Sequence, residues 1–94
     1  MINYFLGKTV ATKEIHSTIS KNKKFANEIT NCLQKYITCD WGQISQEDKE
    51  MNNNAVKTDD GRIFAAYDTS EGKVYIITEH DRSATTILFA YEYW

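Results

Sequence analysis

Three runs rich in β-branched and aromatic residues, Arg62 to Thr69, Lys73 to Thr78 and Thr85 to Ala90, follow one another with only polar joints between them. Runs of this length bounded by turn-formers read as strands, and Ser70-Glu71-Gly72 is short enough to make the first two an antiparallel hairpin. The second joint carries more chemistry. Thr78-Glu79-His80-Asp81-Arg82-Ser83-Ala84-Thr85-Thr86 lies between the apolar segments Val74 to Ile77 and Ile87 to Ala90, so its charges gather at one end of a sheet. A further strand is expected near the start, over Tyr4 to Ala11, with Gly7 as a bulge or a point of close packing.

The middle of the chain changes period. Phe25, Ile29, Cys32, Leu33, Tyr36 and Ile37 recur at three- and four-residue steps and form one apolar stripe, the signature of a helix laid on a core. Before it, Thr12 can cap a short helix with Glu14 in its first turn and Ile15 and Ile19 on one face, and Asn22 can break or re-cap the chain. After it, Cys39-Asp40-Trp41-Gly42 ends the periodicity. Ser45 through Asp48 then has the spacing of a capping box for a third helix, which ends near Val56 or Lys57. The apolar face of that helix is thin, with Ile44, Met51, Ala55 and Val56, so it belongs at the surface. Asp59-Asp60-Gly61 is a turn.

These elements predict an α+β domain: an antiparallel sheet of about four strands with helices packed on one face, in the order β-α-α-α-β-β-β. Ninety-four residues suffice for one hydrophobic core, so residues 1–94 are expected to form a single domain. No apolar run approaches the roughly 20 residues that span a bilayer, and the opening Met1 to Gly7 lacks the basic region and long apolar core of a signal peptide. The expected location is cytoplasmic, with Cys32 and Cys39 as free thiols.

Net charge is only −2, which speaks against direct nucleic-acid binding by the whole molecule. The charge is unevenly spread. Residues 1–39 carry six lysines against Glu14 and Glu28, whereas residues 40–60 carry Asp40, Glu47, Asp48, Glu50, Asp59 and Asp60 against Lys49 and Lys57. Such asymmetry orients encounter with a charged partner. The candidate contact set is Trp41, the acidic helix residues Glu47, Asp48 and Glu50, and the loop residues Glu79, Asp81 and Arg82. A structural reading of the same loop stands beside this: Asp81 and Arg82 can pair or cap loop amides while Ser83 and Thr85 satisfy carbonyls. Surplus aromatics, Tyr91, Tyr93 and Trp94 among them, suit either an interface with another protein, a homodimer included, or packing on the chain's own sheet.

Reaction chemistry is weakly represented. Glu79, His80, Asp81 and Arg82, with His16 joining across the fold, could serve a small RNA-cleaving toxin, but neither histidine lies in a specific motif. Cys32 and Cys39 stand too far apart for a structural zinc pair, and there is no phosphate loop, dinucleotide fingerprint or nucleophile elbow. No catalytic residue, metal or cofactor is therefore expected. A DNA-binding regulatory module working through Lys21, Lys23, Lys24 and Lys35 is a further alternative.

Several strings together resemble a family of short proteins from plasmids, conjugative elements and phages of Firmicutes and their neighbours. They are Leu6 to Thr12, Asp40-Trp41-Gly42, Glu47-Asp48-Lys49, Asn52, Tyr75 to Glu79, Asp81-Arg82-Ser83, Thr85 to Phe89 and Glu92-Tyr93, spread over nearly the whole chain. His80 stands where such members usually carry a small residue, and Ala90 replaces a frequent proline. The resemblance implies a small accessory protein of a mobile element, and proteins of that size and source are often inhibitors of host defence, anti-CRISPR proteins included. The expectation is a non-enzymatic, phage- or plasmid-encoded inhibitor that binds a bacterial defence protein. A Cas effector is the expected target, blocked at its nucleic-acid-binding surface.

Overall fold

The computed structural model describes residues 6–93, and the elements run β1 (Lys8–Ala11), α1 (Lys13–Lys21), α2 (Lys23–Ile37), α3 (Gln46–Thr58), β2 (Ile63–Thr69), β3 (Gly72–Thr78) and β4 (Ala84–Phe89). A single 3-10 turn over Ala90–Glu92 follows β4. Tyr4 and Phe5, expected in the first strand, and Trp94 of the aromatic tail lie outside the described residues.

Side-chain caps set the helix starts. Thr12 Oγ1 accepts from Ile15 N at 3.3 Å, and Ser45 Oγ accepts from Asp48 N at 3.0 Å. Asn22 acts twice: its own N–H closes α1 on the Thr18 carbonyl at 3.0 Å, and its Oδ1 opens α2 by accepting from Phe25 N at 3.2 Å. Each bond satisfies an amide that a helix terminus leaves without an internal partner.

The sheet has the order β1-β4-β3-β2. β2 with β3 and β3 with β4 are antiparallel, but β1 lies parallel to β4, with Lys8 opposite Ala84 and Ala11 opposite Ile87. The expected antiparallel sheet is therefore mixed at this one strand. Strand direction leaves no mark on a period of two, and here it is set by contacts remote in sequence. Thr12 N donates to the Ile87 carbonyl at 3.0 Å, while Glu92 Oε1 accepts from both Thr12 Oγ1 and Phe89 N at 2.8 Å.

One face of the sheet carries Ile63, Ala65, Tyr67, Val74, Ile76, Ile87 and Phe89 against Ile15, Phe25, Ile29, Cys32 and Tyr36 of α1 and α2. Phe25 stacks on Phe89 with ring centroids 5.6 Å apart. Through this core runs a chain of buried hydroxyls: Tyr36 to Thr78 at 2.6 Å, Thr78 to Thr85 at 2.8 Å, and Thr85 to the Leu6 carbonyl at 2.6 Å. Because Thr85 spends its proton on Leu6, Thr78 donates to Thr85 and Tyr36 donates to Thr78. Burial is the main influence that raises the Tyr36 and Tyr67 phenols well above their usual range.

α3 lies along the edge strand β2 and adds Ala55 to the same core. Asn52 turns its carboxamide to the strand like a further backbone unit: Nδ2 donates to the Phe64 carbonyl at 2.7 Å and Oδ1 accepts from Phe64 N at 3.2 Å. Two residues along, Ala66 N donates to the Trp41 carbonyl at 3.3 Å and Gln43 N donates to the Ala66 carbonyl at 2.7 Å. The thin buried face of α3 is Asn52 and Ala55, whereas Met51, expected inward, is 65% exposed. A carboxamide here does what an apolar pattern cannot signal.

Candidate functional site

Arg82 decides how the β3–β4 loop is held. It is 7% exposed, and Nη1 donates to the Gly61 carbonyl at 2.6 Å while Nη2 donates to the Ala55 carbonyl at 2.9 Å. Longer bonds from Nη1 reach the Glu79 and His80 carbonyls at 3.3 and 3.4 Å. Nε lies 3.4 Å from Asp59 Oδ1 without hydrogen-bond alignment, and because Asp59 is 77% exposed at its side chain, that pairing adds little beyond the carbonyl bonds. The guanidinium thus fastens the loop onto the C-terminal end of α3 and the turn after it. Its backbone adopts the left-handed region at φ 63°.

The rest of the loop is built around that anchor. Arg82 N donates to the Glu79 carbonyl at 2.9 Å, and Ser83 N donates to Asp81 Oδ1 at 2.9 Å. Hydrogen bonding from Ser83, side chain first and backbone second, holds the Asp81 carboxyl below its ordinary range. Gly7, just before β1, presses against this loop; at its φ of 67° a Cβ would run into the Arg82 carbonyl oxygen.

The candidate contact residues accordingly divide. Glu47, Asp48, Glu50, Glu79 and Asp81 are exposed. Trp41 is 2% exposed, its Nε1 donates to Asn53 Oδ1 at 2.9 Å, and its ring meets Tyr36 edge-on at 5.4 Å. Trp41 and Arg82 are therefore interior supports of the surface and not part of it. The structural reading of the loop applies to Arg82 and also to Asp81, whose Oδ1 caps Ser83 N although the residue is exposed. Asp59 and Asp60, at the end of α3, are exposed beside the loop and join the acidic groups that the sequence treated separately. Along α3, Glu47 and Glu50 share the outward side with Met51 and Asn54.

The groups considered for acid-base work are not assembled. His80 is exposed in the β3–β4 loop, at the end of the sheet where β4 begins. α1 leaves β1 beside Ile87 and leads to Asn22, whose Nδ2 donates to Glu71 in the β2–β3 turn at the opposite end, so His16 is carried away from that loop. Arg82, with its Nη atoms committed to carbonyls, is not free to hold a phosphate.

A cavity of about 390 Å³ lies between α2 and the Asp40–Gln43 segment, lined by Glu28, Asn31, Cys32, Lys35, Asp40 and Tyr67 among others. Its carboxylates are largely engaged. Glu28 accepts from Ser70 Oγ at 2.6 Å and from Ser70 N at 3.0 Å, and Asp40 Oδ1 accepts from Gly42 N at 3.3 Å. None of the exposed acids of the candidate contact set lines it. Among the described residues no group of three or more His, Cys, Asp or Glu could hold a metal ion, and no helix is long and apolar enough to cross a membrane.

Both cysteines are free, and burial pushes the Cys32 thiol up to about 11. At pH 8 this lowers its thiolate fraction by about two orders of magnitude relative to an unfolded cysteine near 8.5. Alkylation with iodoacetamide, followed by peptide mass spectrometry, is expected to spare Cys32 in the native chain and to modify it once guanidinium unfolds the protein. The shift leaves stability unchanged below about pH 8.5, where the thiol is neutral folded or unfolded, and lowers it as pH climbs from there toward 11.

No family model, curated protein or solved structure matches the chain.

Proposed function

We propose that this chain is a non-enzymatic, phage- or plasmid-encoded inhibitor that binds a bacterial nucleic-acid-targeting defence complex, a CRISPR-Cas effector, and competes for its nucleic-acid-binding surface. The observation that carries the reading is the clasp by Arg82, which sets the acidic loop beside the end of the acidic helix. Asp59, Asp60, Glu79 and Asp81 are exposed there, and Glu47, Asp48 and Glu50 are exposed toward the N-terminal start of the same helix, whose lysines are Lys49 and Lys57. Carboxylates on rigid elements can meet the lysines and arginines that otherwise hold phosphates, and neither partner then has to reorganise. The resemblance to mobile-element proteins directs the choice of target.

The test is target-DNA binding by a panel of purified, guide-loaded Cas effectors, followed by fluorescence anisotropy with and without the chain. One effector is expected to lose binding in a salt-sensitive manner. Glu47→Lys combined with Asp48→Lys is expected to weaken inhibition about tenfold or more. The double variant should lose only about 1 kcal/mol of stability, from the attraction of both acids to the helix N-terminus. Unimpaired inhibition by it, no inhibition across the panel, or RNA cleavage by the isolated chain would each defeat the proposal.

A further inference from the structure

The two edges of the sheet are finished differently. On the β2 edge, the outward backbone groups of Phe64 and Ala66 are occupied by Asn52 and by the Trp41–Gln43 segment. On the other edge, Lys8 N donates to the Ser83 carbonyl at 3.2 Å and Thr12 N donates to the Ile87 carbonyl at 3.0 Å. Backbone groups alternate in direction along a strand, so those of Lys8 and Val10 turn to β4 and those of Thr9 and Ala11 turn away. Among the described residues nothing bonds to Thr9 or Ala11 on that side, and Lys8, Thr9 and Val10 are exposed, Val10 by 37%. The brevity of β1 and the charge of Lys8 temper this edge but leave its outward groups open, whereas the β2 edge is covered.

We propose that the β1 edge pairs with β1 of a second copy, antiparallel about a two-fold axis through Val10, so that the two four-stranded sheets become continuous. The strand is complementary to itself in this register. Thr9 of each chain exchanges N–H and C=O bonds with Ala11 of the other. Val10 faces Val10 in the non-hydrogen-bonded position, where side chains approach most closely, and its exposed methyl groups are covered. Lys8 falls opposite Thr12 and not opposite another Lys8, so like charges do not meet across the axis. The contact is well below the roughly 800 Å² per partner of a stable interface, and the association is therefore reversible and concentration-dependent. It is independent of the acidic surface discussed above.

Sedimentation equilibrium of the full chain is the test, from about 10 µM to about 1 mM, the range that brackets weak self-association. The apparent mass is expected to climb toward twice that of one chain, and amide exchange at Thr9 and Ala11 is expected to slow as concentration rises. Thr9→Pro removes only an outward N–H, and Val10→Asp places two carboxylates across the axis without touching the backbone. Both are expected to stay monomeric at about 1 mM with thermal midpoints close to the parent. Should Thr9→Pro fail to fold, Val10→Asp alone decides. A parent chain that stays monomeric, a dimer that survives Val10→Asp, or Thr9 and Ala11 amides protected only by an added foreign peptide would overturn the proposal.

Discussion

Arg82→Ala is expected to lower the thermal midpoint by about 15–30 °C, the equivalent of about 3–5 kcal/mol in a domain of this size. The substitution strips the Gly61 carbonyl of its donor at 2.6 Å, and an acceptor left without a partner is costly; the Ala55 carbonyl loses the bond at 2.9 Å but keeps the Asp60 N–H at 3.1 Å. It also leaves a residue with a Cβ at φ 63° without the side-chain anchor that held it there. Arg82→Gly shares the first loss but relieves the second, so it is expected to recover about 1 kcal/mol relative to alanine. Thermal unfolding followed by circular dichroism checks both. A shift of only a few degrees for Arg82→Ala would mean that water replaces the guanidinium, and the loop would then not be held by it.

Gly42→Ala has the second large expected effect, about 3–5 kcal/mol against a total of roughly 5–14 kcal/mol for a chain of this length. Gly42 sits at φ 75°, and a Cβ there would run into the Ala66 carbonyl oxygen and approach Tyr67 Cδ1 to 2.7 Å. The obstacle is backbone, so relief requires the Trp41–Gln43 segment to leave the β2 edge. Its bonds to Ala66 at 2.7 and 3.3 Å would go with it, and the Trp41 ring would shift within the core. Gln43→Ala, which keeps the backbone bond and alters an exposed side chain, is expected to change stability by less than about 0.5 kcal/mol. Denaturant titrations monitored by tryptophan fluorescence distinguish the two. Equal midpoints for Gly42→Ala and the parent would show that the segment is not needed at the edge.

The element order and the helical core face were legible because they rest on local signals. The stripe from Phe25 to Tyr36 faces the sheet, and Thr12, Asn22 and Ser45 start helices as their side chains dictate. What the sequence hid were relations between distant residues. The parallel placement of β1 depends on Ile87, Phe89 and Glu92, and nothing in Lys8 to Ala11 announces it. The candidate contact set was legible as charge but not as depth. A tryptophan and an arginine beside turns look like surface anchors, yet Trp41 finds Asn53 and Arg82 finds two carbonyls only after α3 and the loop have met. Asn52, which closes one sheet edge, reads in sequence as one of three successive asparagines on a polar helix.

Of the four described strands, the neighbour of β1 is made last. During synthesis on the ribosome, Lys8–Ala11 emerges early and must wait until Ala84–Phe89 has been translated before its backbone can be paired. The helices can form while the chain is still growing, but the buried hydroxyl chain from Tyr36 through Thr85 to Leu6 cannot close until then. A message truncated before the codon for Ala84 would therefore yield a product with β1 unpaired and an incomplete interior, which cellular proteases should clear quickly.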